Sequence, residues 1–288
     1  MTKVLNIKDY KSDIKLFEEY VPEKVVETNK EQLVDAMLFE LFKENVQMET
    51  YEEKRELLYG NINTLSPNYV SRDFVDHLDQ LLQIELKEKE LTDTLMLSKL
   101  TAQTIGKTKI TLWQGDITTL KIDAIVNAAN NQMQGCFRPL HKCIDNIIHS
   151  AAGVQLRDDC NLIMQKQGFE EPTGIAKITR AYNLPSKFIL HTVGPFIQSD
   201  VTGQNRVDLA NSYISCLELC KEAGSIKSVA FCCISTGVFG YPADEAAEIA
   251  YKTVTKWLGS NPGNIDLVVF NVFTDKDKEI YDSLAGSL

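Results

Sequence analysis

From Lys109 onward the sequence alternates short apolar runs with helical stretches, and that alternation restricts the fold more than any other feature. The runs are ITLWQ (110–114), AIVNA (124–128), AKIT (176–179), FILHTV (188–193), SVAFCCI (228–234) and LVVFNVF (267–273). Helical patterns fall between them at about 144–166, 206–223, 243–258 and 276–284. Runs this short and this apolar are strands buried on both faces, and strands alternating with helices predict an α/β fold: a three-layer α/β/α sandwich on a mixed central sheet.

The first hundred residues differ in kind. They hold a single glycine, Gly60, and are rich in Glu, Lys and Leu. Leu33, Val34, Met37, Leu38, Leu41 and Phe42 repeat at helical spacing, as do Phe74, Val75, Leu78, Leu81, Leu82 and Leu86. Residues 60–67 carry turn chemistry, and the softer stretch 97–108 marks a boundary. The expectation is a helical N-terminal extension over residues 1–100 and a sheet-bearing domain over residues 101–288. Its many charges are solvated helix faces rather than a docking surface.

Net charge is -10, which leaves no broad cationic face for phosphate neutralisation and argues against nucleic acid as a partner. The amino terminus lacks the continuous apolar core of a signal peptide, and no run is long enough to cross a bilayer, so no membrane partner and a cytoplasmic location are expected. Seven cysteines without disulfide-framework spacing fit a reducing compartment. Cys160, Cys216, Cys220, Cys232 and Cys233 lie in apolar patterns and read as small buried thiols.

The other two cysteines stand apart. Cys136, His141 and Cys143 form C-x4-H-x-C in the loop between the run at 124–128 and the helix at 144, and Pro139 prevents a regular helix through it. Thiolate with imidazole suits zinc better than magnesium or calcium, and three ligands without an obvious fourth match an open catalytic site. Two ordinary loop cysteines beside a histidine are the plain alternative on spacing alone. A closed structural site completed by His149 is another, although helical spacing from the loop makes His149 a core residue.

The remaining loops after strands carry weaker signals. Asp116 can accept from an exocyclic amine such as that of adenine, or serve only the turn. Asn127, Asn130 and Asn131 can bond a sugar or shape the turn. Asp145 opens the helix at 144, where an acidic residue is commonplace for dipole reasons; as a functional residue it would point at whatever the zinc binds. Ser235, Thr236, Gly237, Val238, Phe239 and Gly240 lie between strand and helix, with N–H groups able to surround a diphosphate. Phe273 ends the last run, free to stack on a purine or to join the core.

Taken in order, GDIT, DAIVNAAN, AAG, TGIAKIT, ILHTVGP and STGVFGYP resemble the macrodomain family of ADP-ribose-binding and ADP-ribose-hydrolysing modules over residues 109–284. Where that family has a glycine-rich loop, this chain has GCFRPLHKC, the signature of a bacterial zinc-containing subclass that is similar also in its helical extension. The resemblance implies that Asp116 binds the adenine amine with Ile117 beside it and Phe273 on the ring. It implies that Asn130 faces the distal ribose, that the backbone of residues 235–240 holds the diphosphate with Phe239 against that ribose, and that Asp145 acts near the scissile bond. It implies one Zn2+ per chain and hydrolytic removal of ADP-ribose from modified proteins, among them a lipoyl-carrier protein modified by a partner sirtuin. A reader that binds ADP-ribose without cleaving it, and an O-acyl-ADP-ribose deacylase, are the alternatives.

Overall fold

The computed structural model describes residues 3–22 and 29–285. A short helix α1 (Ile7–Tyr10) is followed by three longer ones, α2 (Lys30–Phe42), α3 (Tyr51–Thr64) and α4 (Arg72–Lys87). Asn29, Thr50 and Ser71 cap their first turns with side-chain oxygens, contacts worth about 1 kcal/mol each. Leu33, Val34, Met37 and Leu38 of α2 pack on Phe74, Leu78, Leu81 and Leu82 of α4 and on Leu58 and Ile62 of α3 to form one apolar cluster. The expected faces are therefore the buried ones, save that Phe42 at the end of α2 is exposed.

Two local expectations change. Residues 60–64 are not a turn but the last part of α3, and Asn63 in that stretch is buried. The continuous helix expected over 144–166 is two helices, α6 (Ile144–Ala152) and α7 (Val154–Gln167), divided at Gly153, whose φ of 105° lies outside the helical range. Before them, α5 (Thr94–Lys99) leads into the sheet.

That sheet has seven strands: β1 (Thr101–Ile105), β2 (Thr108–Gln114), β3 (Ala124–Ala129), β4 (Ala176–Arg180), β5 (Phe188–Val193), β6 (Ser228–Phe231) and β7 (Leu267–Val272). Their spatial order is β1-β2-β7-β6-β3-β5-β4. The five inner strands are parallel, and the edge pairs β1·β2 and β5·β4 are antiparallel. All residues of β5, β6 and β7 are buried, so helices cover both faces of a three-layer α/β/α sandwich. The later helices are α8 (Gly203–Ala223), α9 (Ala243–Ser260) and α10 (Asp275–Ala285).

The amino-terminal residues join this body rather than the helical cluster. Ile7, Tyr10, Ile14 and Leu16 are part of the main core. The Tyr10 hydroxyl accepts from the Ile178 N–H at 3.0 Å on edge strand β4, and the Leu5 N–H donates to Gln167 at 3.0 Å. Beside them Lys177, on the same strand, is buried against Glu171 at 2.5 Å.

The topology fixes where a ligand can sit. Because the inner strands are parallel, the loops bearing Asp116, Asn130, Gly194, Ser235 and Phe273 all leave the sheet at one edge, which is where open α/β sheets bind ligands.

Candidate active site

The loop between β3 and α6 is built from glycine, proline and outside support. Gly135 has φ 83°, which strains any other residue, and a Cβ there would crowd the His149 ring at 3.1 Å. Leu140 adopts φ 57°, and its N–H donates to Asn63 Oδ1 of α3 at 3.0 Å. Asn63 also donates to Ser150 Oγ at 2.9 Å, tying the helical cluster to α6.

A buried cation completes the support. Arg157 of α7 donates through Nε to Gln134 O at 2.8 Å, through Nη1 to Ile62 O at 2.9 Å and Leu65 O at 2.6 Å, and through Nη2 to Asn63 O at 3.1 Å. The guanidinium thus satisfies the orphan carbonyls at the end of α3 and holds the start of the loop with the same plane of donors. Nothing in the local sequence marks Arg157, because its acceptors lie in two distant stretches of chain, residues 62–65 and residue 134.

Held in this way, the ligand atoms of Cys136, His141 and Cys143 all lie within 4.8 Å of one another, each half-buried. Cys136 Sγ is 3.5 Å from His141 Nδ1. Burial foremost, against the opposing Asn146 N–H and reinforced by Cys136, pushes the Cys143 thiol up to about 11. Two thiols packed this closely repel each other when both are deprotonated unless a cation lies between them, and the neutral imidazole beside them offers a third donor. The donor set fits zinc.

A second cluster, His149, Cys160 and His191, lies behind it in the core. Both His191 nitrogens are already engaged, with Asn127 at 3.1 Å and Thr179 at 2.9 Å, so it does not fit a metal without breaking that network. Burial lowers the pKa of both histidines, and His149 is indeed a core residue.

The asparagines separate into three roles. Asn127 neither shapes the turn nor meets solvent: it is buried on β3 and donates to Asp145 Oδ1 at 2.7 Å and to His191 Nδ1. Asn130 shapes the turn, accepting from the N–H groups of Gln132 and Met133 and donating to Gly135 O at 2.9 Å. Asn131 donates to Glu170. Asp145 is 5 % exposed, and burial, opposed by the Asn127 donor and by Arg157, raises its carboxyl to about 6.

Asp116 follows β2. Its Oδ1 accepts from the Thr118 N–H at 2.9 Å and hydroxyl at 2.7 Å, and its Oδ2 faces the Lys89 ammonium at 3.6 Å. Ile117 is buried and Phe273 is 73 % exposed. After β6, Ser235 takes φ 67° and Gly240 φ 69°. The turn closes through Gly240 N to Gly237 O and Tyr241 N to Ser235 O, both at 3.0 Å, which leaves the N–H groups of Thr236, Gly237, Val238 and Phe239 taken by no loop carbonyl among the described residues. Consecutive free N–H groups in a turn form an anion site. Phe239 sits edge-on to Phe196 at 5.7 Å, and Gly194 approaches so closely that a Cβ there would meet Ser235 Oγ at 2.0 Å.

Comparison with known proteins follows the same outline. Residues 126–250 match the Macro domain family model. A protein-ADP-ribose hydrolase of Treponema medium is 51 % identical over 233 residues, 81 % of this chain and 88 % of that protein. One from Staphylococcus aureus strain MSSA476 is 49 % identical over 233 residues, 81 % of this chain and 85 % of its own length. Among solved structures, an Oceanobacillus iheyensis macrodomain mutant with ADPR superposes with TM-score 0.59 at 37 % identity, covering 64 % of this chain and 96 % of that one. A Trypanosoma brucei macrodomain in complex with ADP-ribose gives TM-score 0.59 at 28 % identity, covering 83 % and 97 %.

Proposed function

We propose, from the premise that this chain belongs to the macrodomain family, that it is a protein-ADP-ribose hydrolase whose reaction uses one zinc ion held by Cys136, His141 and Cys143. Removal of ADP-ribose from proteins is what the names of the half-identical relatives describe. The zinc requirement rests on one observation of this chain, the convergence of two thiols and an imidazole on the loop that enters α6.

A zinc ion there would supply Lewis acidity toward the distal ribose linkage or a water, softened because two thiolates bring its net charge near zero. The residues of the chain do the rest. The free N–H groups of the 235–240 loop bind the diphosphate, with Phe239 toward the distal ribose and Asn130 facing it. Asp116, Ile117 and Phe273 take the adenine. Asp145 positions or deprotonates the nucleophile, and a carboxyl lifted to about 6 by burial is suited to exchange a proton near neutrality. Asn127 holds it in place. The substrate class extends, on the subclass resemblance, to a lipoyl-carrier protein modified by a partner sirtuin.

The rival reading is an ADP-ribose reader in which zinc only braces the loop. Incubation of the zinc-loaded protein with an ADP-ribosylated protein, followed by assay of free ADP-ribose, separates the two: release supports the hydrolase, and retention without release the reader. Chelation and Cys143→Ala are each expected to remove zinc and lower turnover at least tenfold. Full turnover by Cys143→Ala with no bound zinc refutes the metal's part. Competition by O-acyl-ADP-ribose tests whether a deacylase shares the pocket.

A further inference from the structure

Between the helical cluster and the macrodomain body lies a cavity of ≈ 170 Å³. One wall is α6, through Ile147 and Ala151, and Asp116 and Thr118 line it from the loop after β2. The opposite wall is formed by Arg55 and Tyr59 of α3, Glu85 and Leu86 of α4, and Lys89 just beyond α4. A cavity of about 150 Å³ holds a benzene ring, so this one is of a size for a flat heterocycle rather than for water alone. Its lining mixes apolar side chains such as Ile147, Ala151 and Leu86 with the charged groups of Arg55, Glu85, Lys89 and Asp116, the usual mixture in a small-molecule site.

Two features of the outer wall lack an explanation within the fold. Arg55 forms a fork with Glu85, at 2.7 and 3.0 Å, yet its third nitrogen, Nη1, is buried with no partner. Lys89, 43 % exposed, places its ammonium 3.6 Å from Asp116 Oδ2, 27 residues away. An exposed pair of this kind adds little stability. It does set a donor and an acceptor side by side at the mouth of the cavity.

That spacing has a chemical match. An adenine presents its exocyclic amine, a donor, next to a ring nitrogen, an acceptor, on each side of the amine. We infer that the helical extension completes the base end of the ADP-ribose cleft, with Lys89 donating to a ring nitrogen of the adenine while Asp116 accepts from its amine. The inference rests on the reading of Asp116 as the adenine-binding carboxylate and adds to it a residue outside the sheet-bearing domain. It gives the extension a part in recognition: the wall opposite α6 comes from α3 and α4, and a body without them leaves the base open to water on that side.

The test is calorimetric titration of the zinc-loaded full chain with ADP-ribose, ADP and ribose 5-phosphate, for the wild type, Lys89→Met and Asp116→Ala. Lys89 is exposed and tethers no backbone, so melting temperature and zinc content should match the wild type in Lys89→Met. One lost hydrogen bond of 0.5–1.5 kcal/mol corresponds to weakening of about 2- to 12-fold. It is expected for ADP-ribose and ADP and not for ribose 5-phosphate, which lacks the base. If Asp116→Ala weakens both nucleotides while Lys89→Met leaves them unchanged or tightens them, the base sits at Asp116 and the extension does not read it, which overturns the inference alone. If Asp116→Ala leaves both unchanged, the adenine reading of Asp116 falls and the paired recognition falls with it.

Discussion

Replacing Arg157 with methionine should unfasten two parts of the molecule together. Methionine keeps most of the bulk but none of the donors, so Gln134 O, Ile62 O, Asn63 O and Leu65 O lose their partner in a site where the side chain is 4 % exposed. Each buried carbonyl left unpaired costs about 1–3 kcal/mol. The sum is smaller than four such terms, because removing the guanidinium also removes its own desolvation burden and water can reach the end of α3; about 3–5 kcal/mol is expected. At roughly 2–4 °C per kcal/mol for a chain of this size, the melting temperature should fall by about 6–20 °C. Gln134 immediately precedes Gly135 and Cys136, so the same substitution frees the loop that gathers Cys136, His141 and Cys143. Calorimetric melting and zinc content per chain, measured on the same preparation, check both halves. Arg157→Lys should recover only part of either, since an ammonium cannot span four carbonyls set around a planar fork. A melting temperature within about 2 °C of wild type with zinc retained would refute the reasoning.

Two further outcomes follow from packing and burial. Gly194→Ala places a methyl 2.0 Å from Ser235 Oγ and 2.7 Å from Ile234 Cγ2; the 235–240 loop must shift, and ADP-ribose affinity measured by titration should drop about tenfold or more, overpacking of this kind costing about 1–3 kcal/mol. Burial, more than the opposing Tyr182 hydroxyl and Arg180, raises Asp159 to about 6 from 3.8. The folded state therefore holds this proton more tightly, and the stability it contributes is complete below about pH 3.8 and lost as pH rises through about 6. Asp159→Asn should accordingly gain melting temperature relative to wild type at pH 7.5 and lose that advantage at pH 4.5; a gap that widens toward acid overturns the assignment.

The sheet was legible in the sequence because its strands are covered on both faces, so 188–193 and 267–272 read as largely apolar runs, interrupted only by His191, Thr192 and Asn271. The metal-type cluster was legible because its three members lie within eight residues. Helix α3 was hidden by its own composition. It buries only Leu58, Ile62 and Asn63, and Gly60 and Asn61 suggest a turn, but a capping box of Thr50 with Glu53 starts the helix and Arg157 secures its end. Packing does not demand glycine at 60, since a Cβ there would meet Leu140 and Pro139 at ordinary contact distances of 3.6–3.8 Å. The network Asn127–Asp145–His191 and the pair Lys89–Asp116 join residues 18, 64 and 27 positions apart, separations at which no local pattern carries a signal.

The seating of the first residues on β4 has a consequence for how this protein can fail. An outermost strand offers an open ladder to any other chain. Here Tyr10 occupies the Ile178 amide and Lys177 turns a charge inward, so part of that ladder is already taken. A chain shorn of residues 3–22 would give up Ile7, Tyr10, Ile14 and Leu16 from its core and bare β4 as well, a poor reagent prone to growing strand upon strand with its own copies.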